Sequence, residues 1–333
     1  MSASGFPGEV RWGILGAARI ARAQFLPGLR EAGGGRPALV ASRDIDKAEA
    51  FARDNDIGHA VQGYESVIDS ADIDAVYVAL PNTHHALWTQ RALEAGKAVL
   101  CEKPLCVSPA ETEAVLRTAA STGGLLWEAF VFPFQAQHRR LLELLASGAI
   151  GEVRELVSTF HFLLTRPEDF RLSAELGGGA LADVGCYPIR LAQEVLDTRD
   201  PAPGDVVGFG TSNGEVDSEV VALVDYGGQQ LVLSCGFRRA LDTFTRVLGT
   251  DGQIHLTNPF HPTPSDSLVV RRDGEETIEH PTVDARSFTA ALRHIHAVIR
   301  GDETPAHLAA ESSLRSARTL EAAVQAYSVS RLG

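Results

Sequence analysis

The first third of the chain alternates short apolar runs with stretches in which apolar residues return every three or four positions. The runs are Val10–Leu15, Pro37–Ala41, Asp74–Leu80, Ala98–Cys101 and Leu125–Phe130, each the length of a buried strand. Helical patterns lie between them. One ends near Ala32, one near Ala95 where Gly96 stops it, and one near Ser121. Asn82 or Thr83 is placed to cap the second of these. Ser108-Pro109-Ala110-Glu111 is a capping box with proline at the first helical position of the third. Strands alternating with helices predict a right-handed, doubly wound parallel sheet.

Beyond a helical pattern at Pro133–Ser147, ended by Gly148, the periodicity changes to two. Strands are predicted at Val153–Phe162, Val206–Gly210, Val220–Tyr226, Gln230–Phe237, Thr243–Gly249, Gly252–Thr257, Ser267–Arg271 and Glu276–His280. Short turns such as Tyr226-Gly227-Gly228 and Gly249-Thr250-Asp251-Gly252 make them antiparallel hairpins. Helical patterns at Ala285–Arg300 and Ala309–Ser330 close the chain. The fold class is therefore α/β: a doubly wound parallel sheet over residues 1–128, then an α+β domain with a large, mostly antiparallel open sheet over 129–333. A wide sheet with helices on one face needs a cover for the other, and a second copy of the chain is the natural one, as a dimer or tetramer.

Composition narrows the function. A chain of 333 residues is long for one core, which agrees with two domains. The net charge of −13 argues against non-specific nucleic-acid binding. No apolar run approaches the roughly 20 residues that span a bilayer. Residues 1–10 lack the basic-then-apolar pattern of a signal peptide. Four scattered cysteines, Cys101, Cys106, Cys186 and Cys235, fit reduced thiols in a cytoplasm better than a disulfide frame or a zinc site. There is no internal repeat.

Candidate chemistry gathers where strands end. Gly16-Ala17-Ala18-Arg19-Ile20-Ala21 follows the first strand and opens a helix, the context of a dinucleotide fingerprint, with alanine at its second and third glycine positions. The helix start offers N–H groups and positive partial charge to a pyrophosphate. The second strand ends in Ser42-Arg43, where an NAD enzyme carries an acid for the ribose 2′-hydroxyl. A hydroxyl and a guanidinium suit a 2′-phosphate, so NADP is expected over NAD. Leu80-Pro81-Asn82-Thr83-His84-His85 reads as a cofactor-lining loop; the paired histidines lack the neighbours of a metal site, and no metal is expected. Cys101-Glu102-Lys103-Pro104 presents a lysine just past a strand's carboxyl end. In the second half, Gly177-Gly178-Gly179 opens a helix on which Asp183 and Tyr187 are four apart, sharing a face with each other and with Arg190. An acid and a phenol so placed make a proton-transfer pair. Phe130, Phe132 and Phe134 are candidates to wall a pocket, with core packing expected for at least two of them, and Arg166, Arg171 and Arg238 are candidates to meet a sugar or its phosphate.

Together these motifs resemble the glucose–fructose oxidoreductase/inositol dehydrogenase (Gfo/Idh/MocA) family. Trp12 to Ala21, Leu80 to His85, Glu102-Lys103-Pro104 and Gly177 to Tyr187 run in the family's order. The resemblance implies a Rossmann domain, a carboxyl-terminal domain whose open sheet mediates oligomers, and NAD(P)-dependent chemistry on CH–OH groups. It assigns Lys103, Asp183 and Tyr187 as catalytic. It makes Gly16, Ala18, Arg19, Ile20, Ser42, Arg43, Leu80, Pro81, Asn82, His85, Glu102 and Lys103 the cofactor site. Phe130, Arg171, Asp183, Tyr187 and Arg238 form the substrate side. Tyr187, where many members have histidine, resembles the subgroup of dihydrodiol and xylose dehydrogenases and the nucleotide-sugar 3-ketoreductases. Arg190, where many have aspartate, departs from the inositol dehydrogenases. The expected function is an NADP(H)-dependent dehydrogenase of a sugar or cyclic diol. The alternatives are a nucleotide-linked 3-ketoreductase and a non-catalytic cofactor sensor.

Overall fold

The computed structural model describes residues 8–196, 203–283 and 287–330, which form two compact units. The first unit comprises Met1–Leu105, Ala110–Phe134 and Asp284–Ala310. It contains β1 (Val10–Leu15), α1 (Leu26–Ala32), β2 (Gly35–Ser42), α2 (Ile45–Asp54), β3 (His59–Gln62), α3 (Glu65–Ile68), β4 (Ala75–Val78), α4 (His85–Glu94), β5 (Ala98–Cys101), α5 (Pro109–Thr122) and β6 (Leu126–Glu128). All strand pairs are parallel, in the order β3-β2-β1-β4-β5-β6. The order reverses between β1 and β4, which opens the crevice where such sheets bind ligands. The sheet has six strands rather than five. The extra one, β3, is short and lies at the edge with its ends exposed, so it lacks an apolar signature. No side chain caps α4, which is entered instead through a 3₁₀ turn at Asn82–His84.

The second unit comprises Cys106–Pro109, Gln135–Val283 and Glu311–Gly333. It carries α6 (Ala136–Ala146), β7 (Val153–Leu163), α7 (Cys186–Val195), β8 (Val206–Ser212), β9 (Asp217–Tyr226), β10 (Gln229–Gly236), β11 (Arg238–Gly249), β12 (Gly252–Leu256), β13 (Leu268–Arg272) and β14 (Glu275–Glu279). After α8 (Ser287–Arg300) in the first unit, α9 (Glu311–Ser330) returns to the second. The eight strands follow the order β14-β13-β12-β11-β7-β10-β9-β8. Every pair is antiparallel except β7 with β10. Helices α7 and α9 pack on the sheet, where Tyr226 Oη meets Thr319 Oγ1 at 3.0 Å. On the opposite face the register aligns Val207, Leu223, Val232, Val157, Arg246, His255, Val269 and Ile278 across all eight strands. Val207 is 56% exposed there, Ile278 56% and the neighbouring Phe209 75%.

Three segments cross the expected boundary at residue 128: Cys106–Pro109 lies in the second unit, and residues 129–134 and Asp284–Ala310 lie in the first. Helix α8 belongs to the first unit, and its expected first residue, Ala285, lies outside the described residues. Phe288 packs edge-on to Phe25 and Tyr77, and those two rings stack at 4.0 Å. Such aromatic pairs contribute about 0.5–1.5 kcal/mol each beyond area burial. Gly28 of α1 permits the approach, since a Cβ there would lie 2.7 Å from Phe288 Cβ. The Trp12 indole donates to His296 Nε2 at 2.9 Å, and His296 Nδ1 donates to the Gly33 carbonyl at 2.7 Å. These bonds pin α8 to β1 and to the end of α1.

Candidate active site

In the first unit the fingerprint turn is closed by backbone contact. Gly16 has φ of 101°, and a Cβ there would stand 2.5 Å from the Ala79 carbonyl oxygen. Only glycine allows β1 to turn this tightly beside the end of β4. Ala18 is half-buried, Arg19 and Ile20 are exposed, and the following turn, Ala21–Phe25, is a π-helix. Ile20 gives no side-chain cap and the first turn holds no acid, so backbone N–H groups and the positive helix end are available to an anion. At the end of β2 the buried Ser42 hydroxyl accepts from Asp44 N at 3.2 Å. Asp44 in turn caps α2, its Oδ1 accepting from Lys47 N at 3.3 Å. Ser42 and the exposed Arg43 stand together at the end of β2. The Arg43 guanidinium lies beside the Tyr64 hydroxyl, where its charge opposes the upward push of burial on that phenol.

The two neighbouring strand ends are tied to each other. Glu102 N donates to the Val78 carbonyl at 3.0 Å, and Tyr77 Oη donates to Glu102 Oε1 at 2.5 Å. Lys103 is half-buried and precedes a cis peptide to Pro104. His85 is fully buried, with Nδ1 2.8 Å from the Pro104 carbonyl and Nε2 2.9 Å from that of Leu80. Burial pushes this imidazole down to about 4, outweighing the two carbonyl oxygens, and the Lys103 charge adds to the fall. His85 thus brackets the Leu80–Pro81–Asn82 loop against the Lys103–Pro104 turn from behind; it presents no exposed surface. Phe130 packs on Phe132 at 6.0 Å, while Phe134 packs on His294 and His307.

In the second unit the glycine loop is squeezed between two partners. A Cβ at Gly178 would lie 2.4 Å from the Arg171 carbonyl oxygen, and Gly179 N donates to that oxygen at 2.9 Å. Gly179 has φ of 116°, and a Cβ there would lie 2.5 Å from Asp217 Oδ1. Asp217, on β9, accepts from Leu181 N at 2.7 Å and so caps the helix start. Residues Leu181–Gly185 form a second π-turn ahead of α7. Asp183 lies within it, 7% exposed, and its Oδ2 accepts from Arg171 Nε at 2.6 Å. The Tyr187 ring is walled by Phe160 at 5.2 Å, Phe260 at 5.1 Å and His261 at 5.7 Å.

The other arginines take separate paths. Arg190 is buried and pairs with Glu194 at 2.9 Å, and Glu194 also meets His138 Nε2 of α6 at 2.8 Å. Arg166 pairs with Asp169, which also holds Arg171 Nη1 at 3.1 Å. Arg238 is exposed at the start of β11, opposite Leu163. The structure thus joins Arg171 to Asp183, and Leu80 to His85 and Pro104. Lys103 belongs to the first unit and Asp183 and Tyr187 to the second. Sequence reasoning missed Asp169, Asp217, Phe160, Phe260 and His261. Only Asp169, two residues before Arg171, had a local signal. Among the described residues no three His, Cys, Asp or Glu side chains gather as a metal site, and no helix is long and apolar enough to cross a membrane.

Residues 10–130 match the model of an oxidoreductase family with an NAD-binding Rossmann fold, and residues 138–255 match the GFO/IDH/MocA C-terminal domain. The chain belongs to the Gfo/Idh/MocA oxidoreductase family. The enzyme is 35% identical to a dTDP-3,4-didehydro-2,6-dideoxy-alpha-D-glucose 3-reductase of Streptomyces violaceoruber, over 95% of each chain. It is 32% identical to the NADP⁺-dependent D-xylose 1-dehydrogenase 2 of Haloferax volcanii, over 89% of this chain and 98% of the relative. A solved structure of a 3-ketoreductase from Actinomadura kijaniata, in complex with NADP and TDP-benzene, superposes with a TM-score of 0.87 at 30% identity, covering 96% of this chain and 98% of that one. The family's Rossmann cradle fits what Gly16, the uncapped helix start and Ser42-Arg43 offer to a nicotinamide dinucleotide.

Proposed function

We propose that this enzyme is an NADP(H)-dependent oxidoreductase that interconverts a secondary alcohol and a carbonyl on a sugar or sugar-like cyclic diol. The observation that carries the reading is the second unit's helix start, where a buried carboxylate is fixed by a guanidinium and a phenol stands four residues on in an apolar wall. Gly16, Ala18, Arg19 and Ile20 hold the pyrophosphate, and Ser42 and Arg43 hold the 2′-phosphate. Leu80, Pro81, Asn82, Glu102 and Lys103 line the nicotinamide side. When bound, NADP(H) supplies or accepts the hydride. Tyr187 moves the proton at the reacting oxygen; a phenol, with an ordinary pKa of about 10, carries its proton at neutral pH and is suited to ketone reduction. Lys103 lends positive charge at the nicotinamide side of the first unit, and Asp183 in the second orients the substrate hydroxyls.

Reduction of a nucleotide-linked 3-keto sugar is the second reading. The match to the dTDP-sugar 3-reductase over 95% of both chains favours it. Phe130 and Arg238 are the substrate-side residues left to meet the sugar or its diphosphate. The exposed apolar side chains Val207 and Phe209 on β8 and Ile278 on β14, at the two edges of the sheet's open face, support a homo-oligomer formed through the second unit's sheet. Four buried cysteines outside any disulfide support a cytoplasmic location.

The test is nicotinamide absorbance with the full chain. NADP⁺ and NAD⁺ are paired with aldoses and cyclic diols, and NADPH and NADH with dTDP-linked 3-keto sugars. Turnover of D-xylose or a diol with NADP⁺ supports the dehydrogenase, and turnover of the keto sugar alone supports the reductase. Tight NADPH binding without any turnover would leave a cofactor sensor, and preference for NADH would refute the role of Ser42 and Arg43.

A further inference from the structure

We propose that Arg171, held from behind by Asp169, is the positioning residue that keeps Asp183 ionised and aimed. This inference rests on Asp183 acting on the substrate, as proposed above. Four charges alternate along one line of contacts in the second unit: Arg166, Asp169, Arg171 and Asp183. Asp169 and Asp183 are both buried. A buried carboxylate without an opposite charge takes up a proton, and a protonated Asp183 would present a different hydrogen-bonding face to a sugar hydroxyl.

Arg171 can serve both acids because its guanidinium is a planar fork. Nε donates to Asp183 Oδ2 at 2.6 Å, and Nη1 donates to Asp169 Oδ1 at 3.1 Å. The same Asp169 oxygen accepts Arg171's own backbone N at 3.2 Å, and the guanidinium carbon stands 4.7 Å from the Phe170 ring centroid. The side chain is therefore fixed at its root, along its flank and at its tip. Its backbone acts on the same target. The Arg171 carbonyl accepts from Gly179 N, and Asp183 N donates to Gly179 O at 3.0 Å. One residue thus sets both the helix start that carries Asp183 and the orientation of its carboxylate. Asp217 on β9 is an acid, Cys186 Sγ donates to the Asp183 carbonyl, and the Cys235 thiol on β10 is pushed well up by burial first and by Asp217, Cys186 and Asp183 in addition. Arg190 is turned to Glu194. A lysine at 171 would place a point charge near one acid without the second arm.

The experiment compares Arg171→Gln, Arg171→Lys, Asp169→Asn, Asp183→Asn and the double variant Asp183→Asn/Arg171→Gln with the full wild-type chain. The substrate is D-xylose with NADP⁺, or a dTDP-linked 3-keto sugar with NADPH, whichever wild type turns over. Arg171→Gln is expected to lower kcat/KM at least tenfold and to raise the acid limb of its pH profile by about 1–2 pH units, because an opposite charge at this range depresses a carboxylate by about that much. NADPH affinity stays within about twofold, and Arg171→Lys recovers part of the loss. In the Asp183→Asn background the Arg171 substitution moves the limb no further, a non-additivity that a general loss of packing would not produce. If Arg171→Gln does not fold, Arg171→Lys decides, with a smaller fall and the same direction of limb movement expected, while Asp169→Asn, which removes a competing negative charge, is expected to lower kcat/KM without raising the limb. An unmoved acid limb in both Arg171 variants, with Asp183→Asn impaired, overturns the proposal and spares the reading of Asp183. Full activity in Asp183→Asn overturns both.

Discussion

The two helix starts that carry the candidate chemistry are built alike and charged oppositely. Each begins at a glycine with φ near 100–120°, passes through a five-residue π-turn and continues as an α-helix. Such turns recur at functional sites. At Ala21–Phe25 no acid stands in the first turn and Ile20 gives no cap, so the positive end is open to phosphate. At Leu181–Gly185 an acid stands in the first turn and the Asp217 carboxylate already occupies Leu181 N. That second start has no place for an anion. It presents instead a carboxylate that Arg171 keeps fixed. One backbone device thus leaves a positive helix end open in one unit and presents a fixed carboxylate in the other, and the difference lies in which side chains reach the helix end.

Acid should have the largest effect, and it falls on the first unit. Burial pushes His296, whose Nε2 accepts from the Trp12 indole and so is neutral, down to about 4 in the fold, against about 6.5 in an unfolded chain. Between those values the unfolded chain binds a proton that the native one does not. This stabilisation is therefore complete above about pH 6.5 and is lost as pH falls towards 4, by up to about 3 kcal/mol. Denaturant unfolding at pH 7, 5.5 and 4 checks this, and His296→Gln should flatten its share.

A pair of glycine substitutions comes next. Gly16→Ala should weaken NADPH binding about 100-fold, since strain and a clash with the Ala79 carbonyl of a few kcal/mol act on the phosphate cradle. Gly179→Ala should spare NADPH binding and cut turnover about tenfold, because the clash falls on Asp217. Fluorescence titration of NADPH beside steady-state rates separates the two. Arg43→Ala should cost about tenfold in NADPH affinity with little effect on NADH, the difference of one charge-assisted contact. Asp44→Ala should be smallest, lowering stability by about 1 kcal/mol through a lost cap without changing the choice of cofactor. A shift towards or away from NAD in that variant would return Asp44 to the ribose.

Local rules made much of the first unit legible. The apolar run Val10–Leu15, the fingerprint glycine and the proline at the start of α5 are set by neighbours in sequence, and the structure places them where those rules do. What escaped was tertiary. Four-residue β3 pairs only at an edge, and α8 shows the same amphipathic pattern whichever unit it covers. The parallel contact of β7 with β10 is hidden because β10 reads as half of a hairpin with β9. In the candidate site, the spacing of Asp183, Tyr187 and Arg190 was read with an α-helical repeat, but Asp183 lies in a π-turn and Arg190 turns to Glu194 and towards α6. Asp217 holds the helix start from a strand 34 residues beyond Asp183, with no local sign of that role.

Tyr187 is proposed to move the proton as hydride passes to or from the nicotinamide. Single-turnover nicotinamide absorbance on Tyr187→Phe beside wild type tests this role, with NADPH binding measured on the same samples. The expected result is unchanged NADPH affinity and a hydride-transfer rate lower by about 100-fold or more, the usual contribution of a positioned acid–base group. An unchanged rate would contradict the account.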